Sequence, residues 1–213
     1  MKPLKKQNDI VVVNGLRNQS AFFYGFFICI LLLLCYFIFF SEPVQKRWFY
    51  PFPYQEIVEK YAYKYKIDVD LAASVINKES KFQSKAVSHR GALGLMQLMP
   101  DTAEWIADEL EEKDFSLEKL YDPETNIRFG IWYLASLKKE FKNNECLVLA
   151  AYNAGRGNVR EWMELYDWDY DFNEINEIPF HETKMYVFDV IKGKERYKKL
   201  YWEKAYGKRS ENH

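Results

Sequence analysis

Residues 77–100 read NKESKFQSKAVSHRGALGLMQLMP, and the rest of the chain is organised around them. One acid, Glu79, closes an apolar helical pattern. Leu71 and Val75 are four apart, as are Ala72 and Ile76; Glu79 falls four after Val75 and three after Ile76. Residues three and four apart share a helix face, so Glu79 is expected on the buried one. Desolvation disfavours the charged form of a carboxyl and raises its pKa. An acid that keeps its proton near neutral pH is what general acid catalysis requires. The plain alternative is a surface glutamate ending a helix. The loop that follows favours the buried acid. Gly91 and Gly94 permit backbone angles, or close approach to a ligand, that a side chain would block. Gln97 brings donors and an acceptor together.

Two further blocks extend the pattern: AYNAGRGNV at 151–159 and IPFHETKMYV at 178–187. Taken with Glu79-Ser80, Ser88 and GALGLMQLMP, in that order, they resemble the signature of the soluble-type lytic transglycosylases, a family with the goose-type lysozyme fold. The blocks span about 110 residues, and the similarity extends over about 54–201. The resemblance implies an all-α, lysozyme-like domain acting on peptidoglycan. It makes Glu79 the catalytic acid and then base. It places Ser88, Met96, Gln97, Tyr152, Asn153, Glu182 and Tyr186 at the substrate. Met96 reads equally well as plain core, and Glu182 as a first-turn acid complementing a helix dipole. Ser80 is expected to support the helix end. Arg156 departs from the family pattern, standing where many relatives carry proline after AYNAG.

Most glycosidases use two carboxylates, and no second acid near Glu79 has a convincing position. Substrate-assisted enzymes are the exception, the sugar's acetamido group replacing the second carboxylate. The resemblance implies that course, with cleavage between N-acetylmuramic acid and N-acetylglucosamine and a 1,6-anhydro product. A hydrolytic muramidase and an idle glycan-binding scaffold on the same fold are the alternatives.

Other chemistries find little support. The three histidines, His89, His181 and His213, are widely separated, with no spacing for zinc, and no metal or other cofactor is expected. Gly155-Arg156-Gly157 is too short for a phosphate loop and no G-K-[ST] follows it. Of 213 residues, 30 are basic and 31 acidic; without residues 1–20 the balance is 26 to 30, or -4. No basic stripe with interleaved aromatics appears, so no nucleic-acid partner is expected. Cys146 is the only cysteine after Cys35, which precludes a disulfide within the domain.

Residues 21–40, AFFYGFFICILLLLCYFIFF, carry no charge. A helix of that length spans about 30 Å, a bilayer core. Its exit, Phe39-Phe40-Ser41-Glu42-Pro43, lacks the small-residue cleavage pattern of a signal peptide, the main rival. Neither Cys29 nor Cys35 follows a small residue, as a lipoprotein signal would require. The reading is an uncleaved, single-pass anchor in the cell membrane. Lys2, Lys5, Lys6 and Arg17 before it orient residues 1–20 as a cytoplasmic arm and the domain outside, a signal that Lys46 and Arg47 weaken slightly.

Residues 41–53 are expected to form an extended stalk, with Pro43, Pro51 and Pro53 favouring open backbone. Trp48, Phe49 and Tyr50 suit either a membrane interface or docking on the domain. The catalytic domain is placed at 54–201 and a C-terminal tail at 202–213, frayed from Gly207 onward. Helices are expected at about 54–65 and 69–80. Others are expected at 102–112, opened by an Asp101/Glu104 capping box, and from Asp122-Pro123 to about 141. A short buried helix follows at 146–153, then one capped by Asn158 and running to 165. An acidic, aromatic loop covers 166–177, and the last helix runs from about 182 to 201.

Overall fold

A computed structural model describes the backbone of residues 5–203 and the side chains of 23–203. The expectation for the tail from Gly207 lies outside the described residues. The chain divides into two compact units, one ending at Phe49 and one beginning at Tyr50.

In the first unit, α1 (Lys5–Phe40) joins the polar arm and the apolar stretch in one helix. Phe23–Phe40 is long and apolar enough to cross a membrane. Its last carbonyls are capped by side chains. The Ser41 hydroxyl donates to Ile38 O at 2.6 Å, and Gln45 Nε2 to Phe39 O at 2.9 Å. The stalk is less extended than its prolines suggest: α2 (Glu42–Val44) runs into a π-type turn over Gln45–Phe49. Pro43 sits in the first turn of α2, where a missing N–H breaks no helical bond. Trp48 and Phe49 remain exposed.

The second unit is all-α. Helix α3 (Gln55–Tyr65) ends at Lys66, which takes a left-handed conformation (φ 57°). Helix α4 (Val69–Ser80) buries Leu71 through Ile76 without a break, so it is enclosed on nearly every side. Helix α5 (Pro100–Glu109) opens on proline, with extended Met99 at its N-cap and no side-chain cap. The expected Asp101 box therefore does not form. Proline already suits the first helical position, and Asp101 is drawn into the first turn.

Helix α6 (Pro123–Glu140) starts as the Asp122-Pro123 pair dictates, Asp122 Oδ2 accepting from Thr125 N at 2.8 Å. Helix α7 (Glu145–Ala154) buries Cys146 through Ala151, and burial pushes the Cys146 thiol up to about 11. Gly155 (φ 93°) turns the chain directly into α8 (Arg156–Leu165). Asn158 is thus inside α8 rather than its cap, and its Nδ2 donates to Ala154 O at 2.7 Å, stitching the two helices.

Two 3₁₀ turns that the sequence did not announce, Leu117–Tyr121 and Ile175–Glu177, occupy the connections. Helix α9 (His181–Tyr201) buries Tyr186, Val187, Val190, Gly193, Tyr197 and Leu200 along one stripe and packs on α4 and α7. At the other end of the sequence Tyr50 docks rather than dangling. Its carbonyl accepts from Tyr201 and that of Pro51 from Tyr197, both at 2.8 Å. Phe52 packs among Phe82, Tyr197 and Trp202.

Candidate active site

Glu79 lies in the last turn of α4, a helix buried over most of its length, and α9 packs beside it. The Tyr186 hydroxyl donates to Glu79 Oε1 at 2.7 Å. Burial pushes the Glu79 carboxyl from 4.5 up to about 7; the Tyr186 hydrogen bond and the Lys78 charge oppose this and Glu182 adds to it. Glu79 as a residue stays partly accessible, while its carboxyl is enclosed by protein. The Tyr186 hydroxyl is itself raised well above its ordinary range, by burial first and then by Glu79. It therefore stays a donor. The arrangement is a protonatable acid held in a fixed orientation by a neutral phenol.

The loop after α4 is tied down through its backbone. Ser80 Oγ donates to Leu95 O at 2.7 Å, as its expected supporting role requires. Ser88 closes the turn at Gly91: its Oγ accepts from Ala92 N at 2.9 Å, and its backbone N–H donates to Ala92 O at the same distance. Gln97, at φ 48°, spends Nε2 on Gly94 O (2.8 Å) and Ala86 O (3.2 Å). Its Oε1 makes no hydrogen bond among the described residues.

Of the two readings of Met96, its packing matches plain core. Its side chain is fully buried and packed so closely on Gly130 that a Cβ there would meet its sulfur at 2.3 Å. Its backbone carries the structural load, accepting from the Tyr152 hydroxyl at 2.9 Å and donating to Asn126 Oδ1 at 2.7 Å.

Tyr152 and Asn153 arrive on the last turn of α7. Tyr152 is close enough to Glu79 for that carboxylate, after burial, to raise its hydroxyl pKa. Asn153 Oδ1 accepts from buried Thr183 at 2.8 Å, fixing α7 to the start of α9. Glu182, in the first turn of α9, is 70% exposed and pairs with Arg90 at 3.5 Å. So Glu79, Tyr152 and Tyr186 converge, Asn153 and Ser88 are held in backbone or side-chain frames, and Glu182 stands outside in solvent.

Sequence reasoning missed Asn126. It is fully buried and uses its whole amide: Nδ2 donates to Leu93 O and Leu120 O at 3.0 and 2.9 Å, and Oδ1 accepts from Met96. A lone asparagine on the apolar face of α6, beside Ile127 and Gly130, was the available signal. The described residues hold no group of three or more acidic, histidine or cysteine side chains suited to a metal ion.

The model of the transglycosylase SLT domain matches residues 56–175, which include the first two sequence blocks. The soluble lytic murein transglycosylase of Escherichia coli K12 is 36% identical over 144 residues, covering 67% of this chain and 22% of that protein. Membrane-bound lytic murein transglycosylase C of Actinobacillus pleuropneumoniae is 32% identical over 170 residues, covering 68% of this chain and 45% of its own length. This chain thus spans less than half of either relative. In structure, the 70 kDa soluble lytic transglycosylase from Escherichia coli superposes with a TM-score of 0.66 at 33% identity, covering 73% of this chain and 25% of that one. Motif order, helical fold and extent of match agree, and the chain belongs to the transglycosylase SLT domain family.

Proposed function

We propose that this protein is a membrane-anchored lytic transglycosylase. It cleaves the β-1,4 bond between N-acetylmuramic acid and N-acetylglucosamine in peptidoglycan without consuming water. The observation that carries the reading is the enclosed Glu79 carboxyl at about 7, held at 2.7 Å by a tyrosine that stays protonated. A group with that pKa is substantially protonated at neutral pH and regains a proton readily after losing it. Glu182, exposed and paired with Arg90, is a poor second carboxylate for such chemistry.

The steps balance with one group. Glu79 gives its proton to the glycosidic oxygen as the C1–O bond breaks. The acetamido carbonyl of the muramyl sugar stabilises the positive charge at C1. Glu79, now a carboxylate, takes the proton of the sugar's 6-hydroxyl, and that oxygen closes on C1 as the 1,6-anhydro bond. Tyr186 steadies the carboxylate between the two transfers. Ser88, Gln97, Tyr152 and Asn153 hold the sugars against Glu79, and Glu182 stands in solvent at the start of α9. Helix α1 anchors the chain in the cell membrane, with its N-terminus cytoplasmic and the domain outside, where the glycan lies.

The test uses the detergent-solubilised full chain on purified peptidoglycan, with mass spectrometry of the soluble products beside a Glu79→Gln control. Products one water lighter than the reducing muropeptides, absent from the control, are expected. Reducing ends instead would make the protein a hydrolytic muramidase. Glycan binding with no cleavage would make it a scaffold.

A further inference from the structure

One cluster in the domain has no task in this mechanism: Trp105 on α5, Trp132 and Tyr133 on α6, Arg156 and Arg160 on α8. The Trp105 ring lies 5.3 Å from Trp132 and 6.2 Å from Tyr133, and Tyr133 lies 5.4 Å from Tyr152. The Arg156 guanidinium sits 4.5 Å over Trp105 and 5.4 Å from Tyr133. Burial raises the Tyr133 hydroxyl pKa, and the adjacent Arg156 charge opposes that rise. Yet Nη2 of Arg156 is enclosed and meets no hydrogen-bond acceptor among the described residues. Nη1 reaches Glu140 at 3.5 Å, and Glu140 is held more closely by Arg160, at 2.6 Å.

Three observations point the same way. Two guanidinium groups share one carboxylate, which leaves a positive charge over. Arg156 is the first residue of α8, where the helix dipole opposes a cation, so an anion there would relieve both. Stacking on the rings fixes the guanidinium plane, and a fixed planar fork suits bidentate binding of a carboxylate. The side chain as a whole keeps 30% of its surface exposed, so Arg156 reaches the domain surface although Nη2 itself is covered. Tyr152 connects the cluster to the acid: one neighbour of its ring is Tyr133, and its hydroxyl is raised by Glu79.

We infer that Trp105, Tyr133 and Arg156 form an accessory substrate site on the Tyr152 side of Glu79, in which Arg156 binds a carboxylate of the peptide-bearing side group of the glycan. The inference rests on the proposed substrate, and its test reads binding rather than cleavage. The full chain carrying Glu79→Gln, in detergent, is titrated against insoluble peptidoglycan in a sedimentation assay. The same peptidoglycan, its carboxyls capped as methylamides, serves as comparison. Adding Arg156→Gln is expected to weaken binding to native peptidoglycan about tenfold, the loss of a charged hydrogen bond, and to leave binding to the capped material unchanged. Arg156→Lys, which keeps charge but not the fork, should recover only part of the loss.

Equal weakening on both materials would make Arg156 a structural prop and overturn the site. No change on native material would overturn it as well. If the Arg156 effect disappears when phosphate polymers are stripped with hydrofluoric acid, and survives capping, the anion is a phosphate and the carboxylate assignment falls. Wild-type protein that cuts nothing while the Arg156 comparison holds would remove the proposed activity and leave the site standing.

Discussion

Glu79 carries a cost that its neighbours reveal. Its carboxyl titrates at about 7 in the folded protein against 4.5 ordinarily. Between those values the native state holds a proton that the unfolded chain has released, so stability falls as pH rises through the window. The loss is about 3 kcal/mol and is complete above pH 7. Glu79→Gln removes it. Denaturant titrations should show the variant and the wild type equal near pH 4, and the variant more stable at pH 8 by about 3 kcal/mol; a difference that does not change with pH would mean the carboxyl is solvated. The burial of Glu79 was legible from its place three and four residues after the stripe. That Tyr186 meets it could not be read from spacing, because 107 residues separate the pair. Asn126 was half legible: its place on an apolar helix face was visible, but its three partners, at Leu93, Met96 and Leu120, lie in backbone the sequence does not place. Gly94 reads as a turn glycine, and its φ of 77° agrees. The tighter constraint is space, since a Cβ there would stand 2.1 Å from Asn126 Nδ2 and 2.3 Å from Leu120 O.

Between elements, the distance of α9 from α4 sets the catalytic pair. The two helices approach closely at Gly193, where a Cβ would lie 2.3 Å from Ser74 Oγ. That hydroxyl is already committed to Val190 O at 2.7 Å. Gly193→Ala should push the helices apart, lowering stability by about 1–3 kcal/mol, the usual range for overpacking. Two turns away, Tyr186 would lose its reach to Glu79, and turnover should fall at least about tenfold, the equivalent of one ordinary charged hydrogen bond. Adding Ser74→Ala removes the clashing oxygen and should restore part of both; turnover untouched by Gly193→Ala would show that the spacing does not matter. The exposed Lys78–Asp189 pair across the same helices contributes little by comparison. Helix periodicity made the elements themselves legible. Their starts were misread where proline or glycine replaced a side-chain cap, at Pro100 and Gly155, and the stalk was misread because prolines were taken as extending when Pro43 opens a helical turn.

At the scale of the molecule, the buried hydrophobic core of the described residues lies wholly between Val58 and Leu200. The second unit therefore owes its stability to its own packing. Removing residues 1–40 should leave the melting temperature unchanged and abolish sedimentation with membrane vesicles after an alkaline wash; full-length protein released by the same wash would contradict an integral anchor. The apolar helix was plain from composition, and its extension back to Lys5 was not, because residues 5–20 are polar and mark no boundary. Cys146 has a consequence for handling this protein. It is buried in α7 with its thiol pushed up to about 11, and it is the only cysteine from Tyr50 onward. The domain needs no oxidant to fold and is indifferent to the redox state of the compartment that makes it. With residues 1–40 removed, a cysteine introduced at exposed Glu182 would be the one reactive thiol among the described residues, so a fluorophore or spin label placed there would report glycan binding without removal of a native residue's thiol.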